Sequence, residues 1–175
     1  MIETVGRFLA LILASVCLFV VPLVDLSNSH DDMMQTYVYE QTNEYVDLVC
    51  THARITQGGY LNFVQTLDAT GNIYDVRITV GHSTVIPVYG TNSSGEVVVT
   101  GTRTVDEYTY EDEILDKLFQ TDGYFELKKG DTISFTITSR NQTVAQQIRS
   151  SLLGIADYGC RIRVTAGGVV RDEGF

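Results

Sequence analysis

The chain has 175 residues, and its 12 Lys and Arg stand against 22 Asp and Glu for a formal net charge of −10. Glu3 and Arg7 are the only charged side chains among the first 24 residues. The whole acidic excess therefore lies downstream, on a segment that repels nucleic-acid phosphates and anionic lipid surfaces, which argues against nucleic acid as a partner. Without an N-terminal segment about 145–150 residues remain, enough for one domain with a real hydrophobic core and too few for two.

From Phe8 to Val24 there is no charge, and Val5 and Leu26 extend the apolar run. As a helix, Phe8 to Val24 reaches about 25 Å and Val5 to Leu26 about 33 Å, against a hydrocarbon thickness of about 30 Å. The longer run spans a membrane if Arg7 snorkels. Arg7 precedes it while Asp25, Asp31 and Asp32 follow it, which predicts an N-terminus in the cytoplasm and a C-terminal domain outside. A competing reading is a cleaved signal peptide, because Ser27-Asn28-Ser29 offers small residues where a signal peptidase inspects the chain. Either way, residues 1–30 form a membrane anchor or signal segment and residues 31–175 an extracytoplasmic domain.

The segment Asp31 to Arg54 lacks Gly and Pro and places Met34, Val38, Tyr45, Leu48, Val49 and Cys50 at near-helical spacing, with Asn28 or Ser29 as its cap. Thr56 caps a second helix that carries Tyr60, Phe63, Val64 and Leu67 at i, i+3, i+4 and i+7. The period then changes to two. Tyr74, Val76, Ile78 and Val80 alternate with polar residues as a half-buried strand. Val85–Tyr89 and Val97–Val105 flank a turn-rich Thr91–Gly95 and predict a hairpin whose Pro87 suits an edge. Thr109 is expected to open a third helix bearing Tyr110, Ile114, Leu115, Leu118 and Phe119, with Asp112 completing a capping box. Tyr124–Leu127 turns at Lys128–Asp131 into the alternating strand Ile133, Phe135 and Ile137. Asn141 is expected to cap a helix with Val144, Ile148 and Leu152, closed by Gly154, before a last strand with Cys160, Ile162 and Val164. If the flanking strands share a sheet, that order predicts a right-handed crossover and a parallel pair. The fold class is α+β: an N-terminal transmembrane helix, then a mixed, mainly antiparallel sheet packed with helices.

Groups that could carry chemistry have ordinary structural readings. Asp106, Glu107, Glu111, Asp112, Glu113 and Asp116 concentrate carboxylates as a Ca²⁺ site would, but without calcium-loop spacing, and helix starts favour acids anyway. Asp68, Thr70 and Asn72 mimic the opening of a calcium loop, yet Ile73 stands where Gly is needed. Cys50, His52, His82 and Cys160 are zinc-ligand types that lack paired short spacings. Cys50 and Cys160 are either a long-loop disulfide or two separate thiols. Gly81-His82-Ser83 puts His beside Ser, but strand neighbours project to opposite faces. No phosphate loop is present: Gly58-Gly59 and Gly167-Gly168 are isolated pairs. No catalytic, cofactor-binding or metal residue is assigned and no cofactor is expected. Tyr37, Tyr39, Tyr45, Tyr108, Tyr110 and Tyr158 offer amphipathic area either to a partner or to the core.

A hydrophobic N-terminal helix with Pro22 near its far end, a polar helical continuation and a compact β-rich domain resemble the layout of pilins and pseudopilins. The chain departs from their processing signature, since Gly6 is followed by Arg7 and Glu3 precedes it. A closer likeness rests on Tyr45-Val46-Asp47, on Ile55-Thr56 with Tyr60 and Phe63, on Leu67–Asn72 with Tyr74-Asp75-Val76, and on Leu127–Asp131. In these the chain resembles uncharacterised bacterial proteins that accompany tight-adherence (Flp-type) pilus machinery. The resemblance implies a minor pilin-like or envelope accessory role with no catalytic residues, and other envelope or pilus-assembly proteins, or a second copy, as partners. The rival expectation is a free-standing extracellular binding domain.

Overall fold

The computed structural model describes residues 2–91, 95–143, 146–147, 150–151 and 162–171. Its first element, α1 (Ile2–His52), is one continuous helix of 51 residues that runs through Pro22. The cap expected at Asn28 or Ser29 does not form. Ser27 Oγ and Ser29 Oγ donate instead to the Leu23 and Asp25 carbonyls, at 2.8 and 3.1 Å, satisfying their hydroxyls within a helix that continues past them. At about 1.5 Å per residue α1 is about 77 Å long, more than twice a bilayer core. Its apolar first half is exposed and is the one stretch among the described residues long and apolar enough to cross a membrane. Its second half buries Val38, Thr42, Tyr45, Val46, Val49 and Cys50, a single helical face.

That face packs on a sheet. β1 (Arg54–Thr56) leads into α2 (Gln57–Asp68), where Thr56 Oγ1 accepts the Gly59 amide at 3.2 Å as the sequence predicts and Tyr60, Phe63 and Leu67 are buried. β2 (Tyr74–Thr91) and β3 (Val97–Tyr110) follow, then α3 (Glu111–Asp116) with a π turn over Lys117–Thr121, β4 (Tyr124–Glu126), β5 (Thr132–Ser139) and β6 (Arg163–Val169). β1 and β4 pair as a small antiparallel sheet, and the main sheet has the order β3-β2-β5-β6. Every pair in both is antiparallel, so α+β holds while the expected parallel partner of β5 does not exist: β6 runs back beside it, Thr132 opposite Val169. Phe135, Ile78, Ile133 and Ile137 are fully buried under α1 and α2, each worth about 1.5–3 kcal/mol of transfer energy.

Three other boundaries differ from expectation. β2 is a single strand through Gly81, merging two predicted pieces. β3 continues to Tyr110, so Thr109 is in a strand, and α3 starts without a side-chain cap. Thr143 replaces Asn141 as cap: the Gln146 amide donates to Thr143 Oγ1 and the Thr143 amide to Gln146 Oε1, a reciprocal box. Asn141 is engaged elsewhere, accepting the Ile73 amide at 3.0 Å and donating to Asn72 Oδ1 at 2.9 Å. Val144, Ile148, Leu152, Gly154 and Cys160 lie outside the described residues.

The register gives the molecule two poles. Thr36 and Tyr39 of α1 lie beside Arg163–Thr165, while farther along the helix Val46 and Cys50 lie beside Gly168 and the Arg171 amide donates to the Cys50 carbonyl at 3.1 Å. α1 and β6 thus run in the same direction. The end of the sheet holding Arg163, Ser139 and Tyr74 is on the side from which the apolar half of α1 departs, and Val169, Thr132 and Gly81 are at the far end.

Candidate functional site

β2 loses its β5 partner at Gly81, opposite Thr132, but keeps pairing with β3 through Thr91 opposite Val97. Residues 82–91 and their partners therefore leave the sheet as a two-stranded ribbon, about 33 Å long at 3.3 Å per residue, on the pole opposite the apolar half of α1. A bulge at Thr100, between Val88 opposite Gly101 and Tyr89 opposite Val99, adds local twist. Both faces of the ribbon are bare. Tyr89 and Val97 are 64% and 72% exposed, and Val85 and Val99 are also exposed.

At its root, His82 hydrogen-bonds the buried carboxylate of Asp131, which also accepts the Lys128 amide at 2.8 Å and so ties the ribbon to the Lys128–Asp131 turn. Ser83, on the other face, donates to Asp106 Oδ1 at 2.6 Å. His82 and Ser83 are engaged with different carboxylates and do not form a nucleophile and base.

The other sequence candidates are dispersed. Cys50 is buried against Gly168, with its thiol pushed upward by burial, while His52 Nδ1 donates to the Leu48 carbonyl at 2.8 Å and His82 is at the ribbon root. Cys160, and with it any pairing to Cys50, lies outside the described residues. Among the described residues no three His, Cys, Asp or Glu side chains converge as metal ligands. Asp106 and Glu107 are on β3, whereas Glu111, Asp112, Glu113 and Asp116 belong to α3, and Lys117 Nζ from the following π turn pairs with Glu113 at 3.0 Å. Burial, then the carboxylates of Asp75 and Asp112, raises the Glu111 acid. Asp75 moves the other way, held down chiefly by the hydrogen bond from Arg140 Nη2 at 2.6 Å. Asp68, Thr70 and Asn72 form a turn in which Thr70 Oγ1 donates to the Leu67 carbonyl at 2.8 Å.

No family model, curated protein or solved structure matches this chain. The tyrosines divide by role: Tyr45 is core, stacked on Phe63 at 4.5 Å and 6° with Phe135 edge-on, whereas Tyr37, Tyr39, Tyr108 and Tyr110 face solvent. Tyr158 is outside the described residues. Beside Tyr45 a groove of about 160 Å³ opens between α1 and α2, rimmed by Glu44, Leu48, Asn62 and Thr66. The Tyr45 hydroxyl is buried with no hydrogen-bond partner among the described residues, and its pKa is raised by burial first and by Tyr60 second. The ribbon is the feature that sequence reasoning missed. Its hairpin was legible, but its reach beyond the sheet depends on where β5 stops.

Proposed function

We propose that this protein is a non-enzymatic, membrane-anchored component of a pilus-like or cell-surface assembly, with its N-terminus in the cytoplasm and the ribbon presented outward. The observation that carries the reading is the opposition of two exposed surfaces: the apolar run of α1 at one pole and, at the other, a two-stranded β-ribbon with exposed Val and Tyr and open outer edges. The first needs lipid and the second needs protein. A continuous α1 docked on β6 joins them without a linker, so a contact at the ribbon is held at a fixed height above the membrane. Exposed Val and Tyr with open strand edges suit partners that add strands or cover aromatic area.

Cross-linking the full chain in intact cells, followed by identification of the captured proteins, tests the reading. Envelope proteins or multimers of the chain are expected. Recovery of monomer alone would overturn it.

A further inference from the structure

The two edges of the ribbon are not equivalent. Along the β2 edge past Gly81, Pro87 has no N–H to offer, whereas β3 carries no Pro from Val97 to Tyr110 and has no strand on its outer side among the described residues. β3 is the edge open to a new strand. On one of its faces Arg103, Val105 and Glu107 stand in a row, opposite Ile86, Thr84 and His82 of β2. All three are exposed, and neither Arg103 nor Glu107 has an ion-pair partner among the described residues. Four residues apart on a strand, they are separated by about 13 Å and cannot reach each other.

Resting on the anchored reading above, we propose that the partner of this edge is β3 of a second copy, paired antiparallel about a two-fold axis at Val105. Antiparallel partners opposite one another share a face, so Arg103 of each copy meets Glu107 of the other and Val105 meets its own equivalent. Two complementary charge pairs then flank an apolar centre. Parallel in-register pairing would instead stack Arg103, Asp106 and Glu107 each on its like. The two-fold joins the main sheets into a continuous one of eight strands, β6-β5-β2-β3 running on into β3-β2-β5-β6 of the second copy. It also reverses the poles. The two apolar helix halves leave at opposite ends, so the pair joins copies held in facing membranes rather than neighbours in one membrane. Counting α1 from Leu26 to the sheet and β2 on to Thr84, the two bilayers would stand about 90 Å apart.

The test uses the full-length chain reconstituted into phosphatidylcholine vesicles, with clustering followed by light scattering and the fold checked by circular dichroism. Wild-type vesicles are expected to cluster in proportion to protein density. Arg103→Glu and Glu107→Arg should each reduce clustering at least tenfold. The double charge exchange should restore it, as should mixing Arg103→Glu vesicles with Glu107→Arg vesicles, since that mixture recreates both charge pairs. A Val105→Cys chain should be captured as a dimer by a short bismaleimide where wild type is not. Wild-type vesicles that stay dispersed, single reversals that cluster fully, or an exchange and mixture that both fail to restore clustering overturn the proposal. If cells nevertheless yield cross-links to a different envelope protein, the self-pairing falls while the anchored-assembly reading stands.

Discussion

The link between the apolar half of α1 and the ribbon depends on how closely α1 seats on β6, and at Gly168 the two elements approach closely. A Cβ at position 168 would lie 2.8 Å from Cys50 Sγ and 3.2 Å from Val46 Cγ1. Both are shorter than the 3.5–4.0 Å at which atom contacts of about 0.1–0.2 kcal/mol are optimal, so Gly168→Ala must push the helix away or distort side chains. Overpacking by one methyl costs about 1–3 kcal/mol. Cys50→Ala removes the nearer obstacle at a cost of about 1 kcal/mol for the lost buried group. In the double variant the new methyl occupies space the sulfur has vacated, so most of the Gly168→Ala cost should disappear, a coupling of about 1–2 kcal/mol. Gly167→Ala is the control. There the obstacle is the Ile133 carbonyl oxygen at 2.8 Å, a backbone atom that Cys50→Ala does not move, so its cost should persist in both backgrounds. The assay is urea unfolding of the full chain in mild detergent. It is read by near-ultraviolet circular dichroism of the tyrosines, since the chain has no Trp and the apolar half of α1 would mask a far-ultraviolet signal. Equal stability of Gly168→Ala and wild type, or an equal cost in the presence and absence of Cys50, would refute the close seating.

Three further outcomes are expected. Tyr45→Phe keeps the stack on Phe63 but removes a buried hydroxyl without a partner, and should raise stability by about 1–3 kcal/mol in the same urea assay; a loss would show that the hydroxyl is hydrogen-bonded after all. Glu111 has a raised pKa from burial and from Asp75 and Asp112, so its favourable contribution is present below the ordinary glutamate range and is lost as pH rises through its folded value. Glu111→Gln should therefore be more stable than wild type at pH 7 and indistinguishable from it well below pH 4, checked by thermal melts across that window. Leu13→Arg places a charge in the exposed apolar half of α1 and should cost about 2.5–3.5 kcal/mol of insertion, read as a shift into the carbonate-extractable fraction; unchanged membrane retention would sink the anchor.

Where local periodicity and tertiary burial agree, the elements were legible. Tyr60, Phe63 and Leu67 on α2 and Ile133, Phe135 and Ile137 on β5 are buried as their spacing predicts, because each element presents one face to a single core. Errors arose where a residue had two satisfactory uses. Ser29 can cap a helix or bond back within one, and with no cost to extending α1 past it the chain does the latter. Asn141 can cap or bridge, and the Ile73 amide and Asn72 both needed it, leaving the cap to Thr143 with Gln146 as its reciprocal partner. Gly81 lets β2 run on as one strand because it serves close approach: a Cβ there would lie 2.6 Å from Thr132 Oγ1 and 3.1 Å from Tyr108.

The candidate surface was hidden for a different reason. Alternation along Val97–Tyr110 assigns Arg103, Val105 and Glu107 to one face, but it carries no information on what lies beside the strand. In a central position those three would be matched to neighbours within the chain. They are left open because β5 turns away at Thr132 while β2 and β3 run on, and because the order β3-β2-β5-β6 puts β3 outermost. Strand length can be read from composition, whereas overhang is a difference between the lengths of paired strands, set by where the Lys128–Asp131 turn falls. His82 bonds Asp131 just past the last rung, Gly81 opposite Thr132, so the contact that secures the ribbon's root lies where β2 and β3 run on alone.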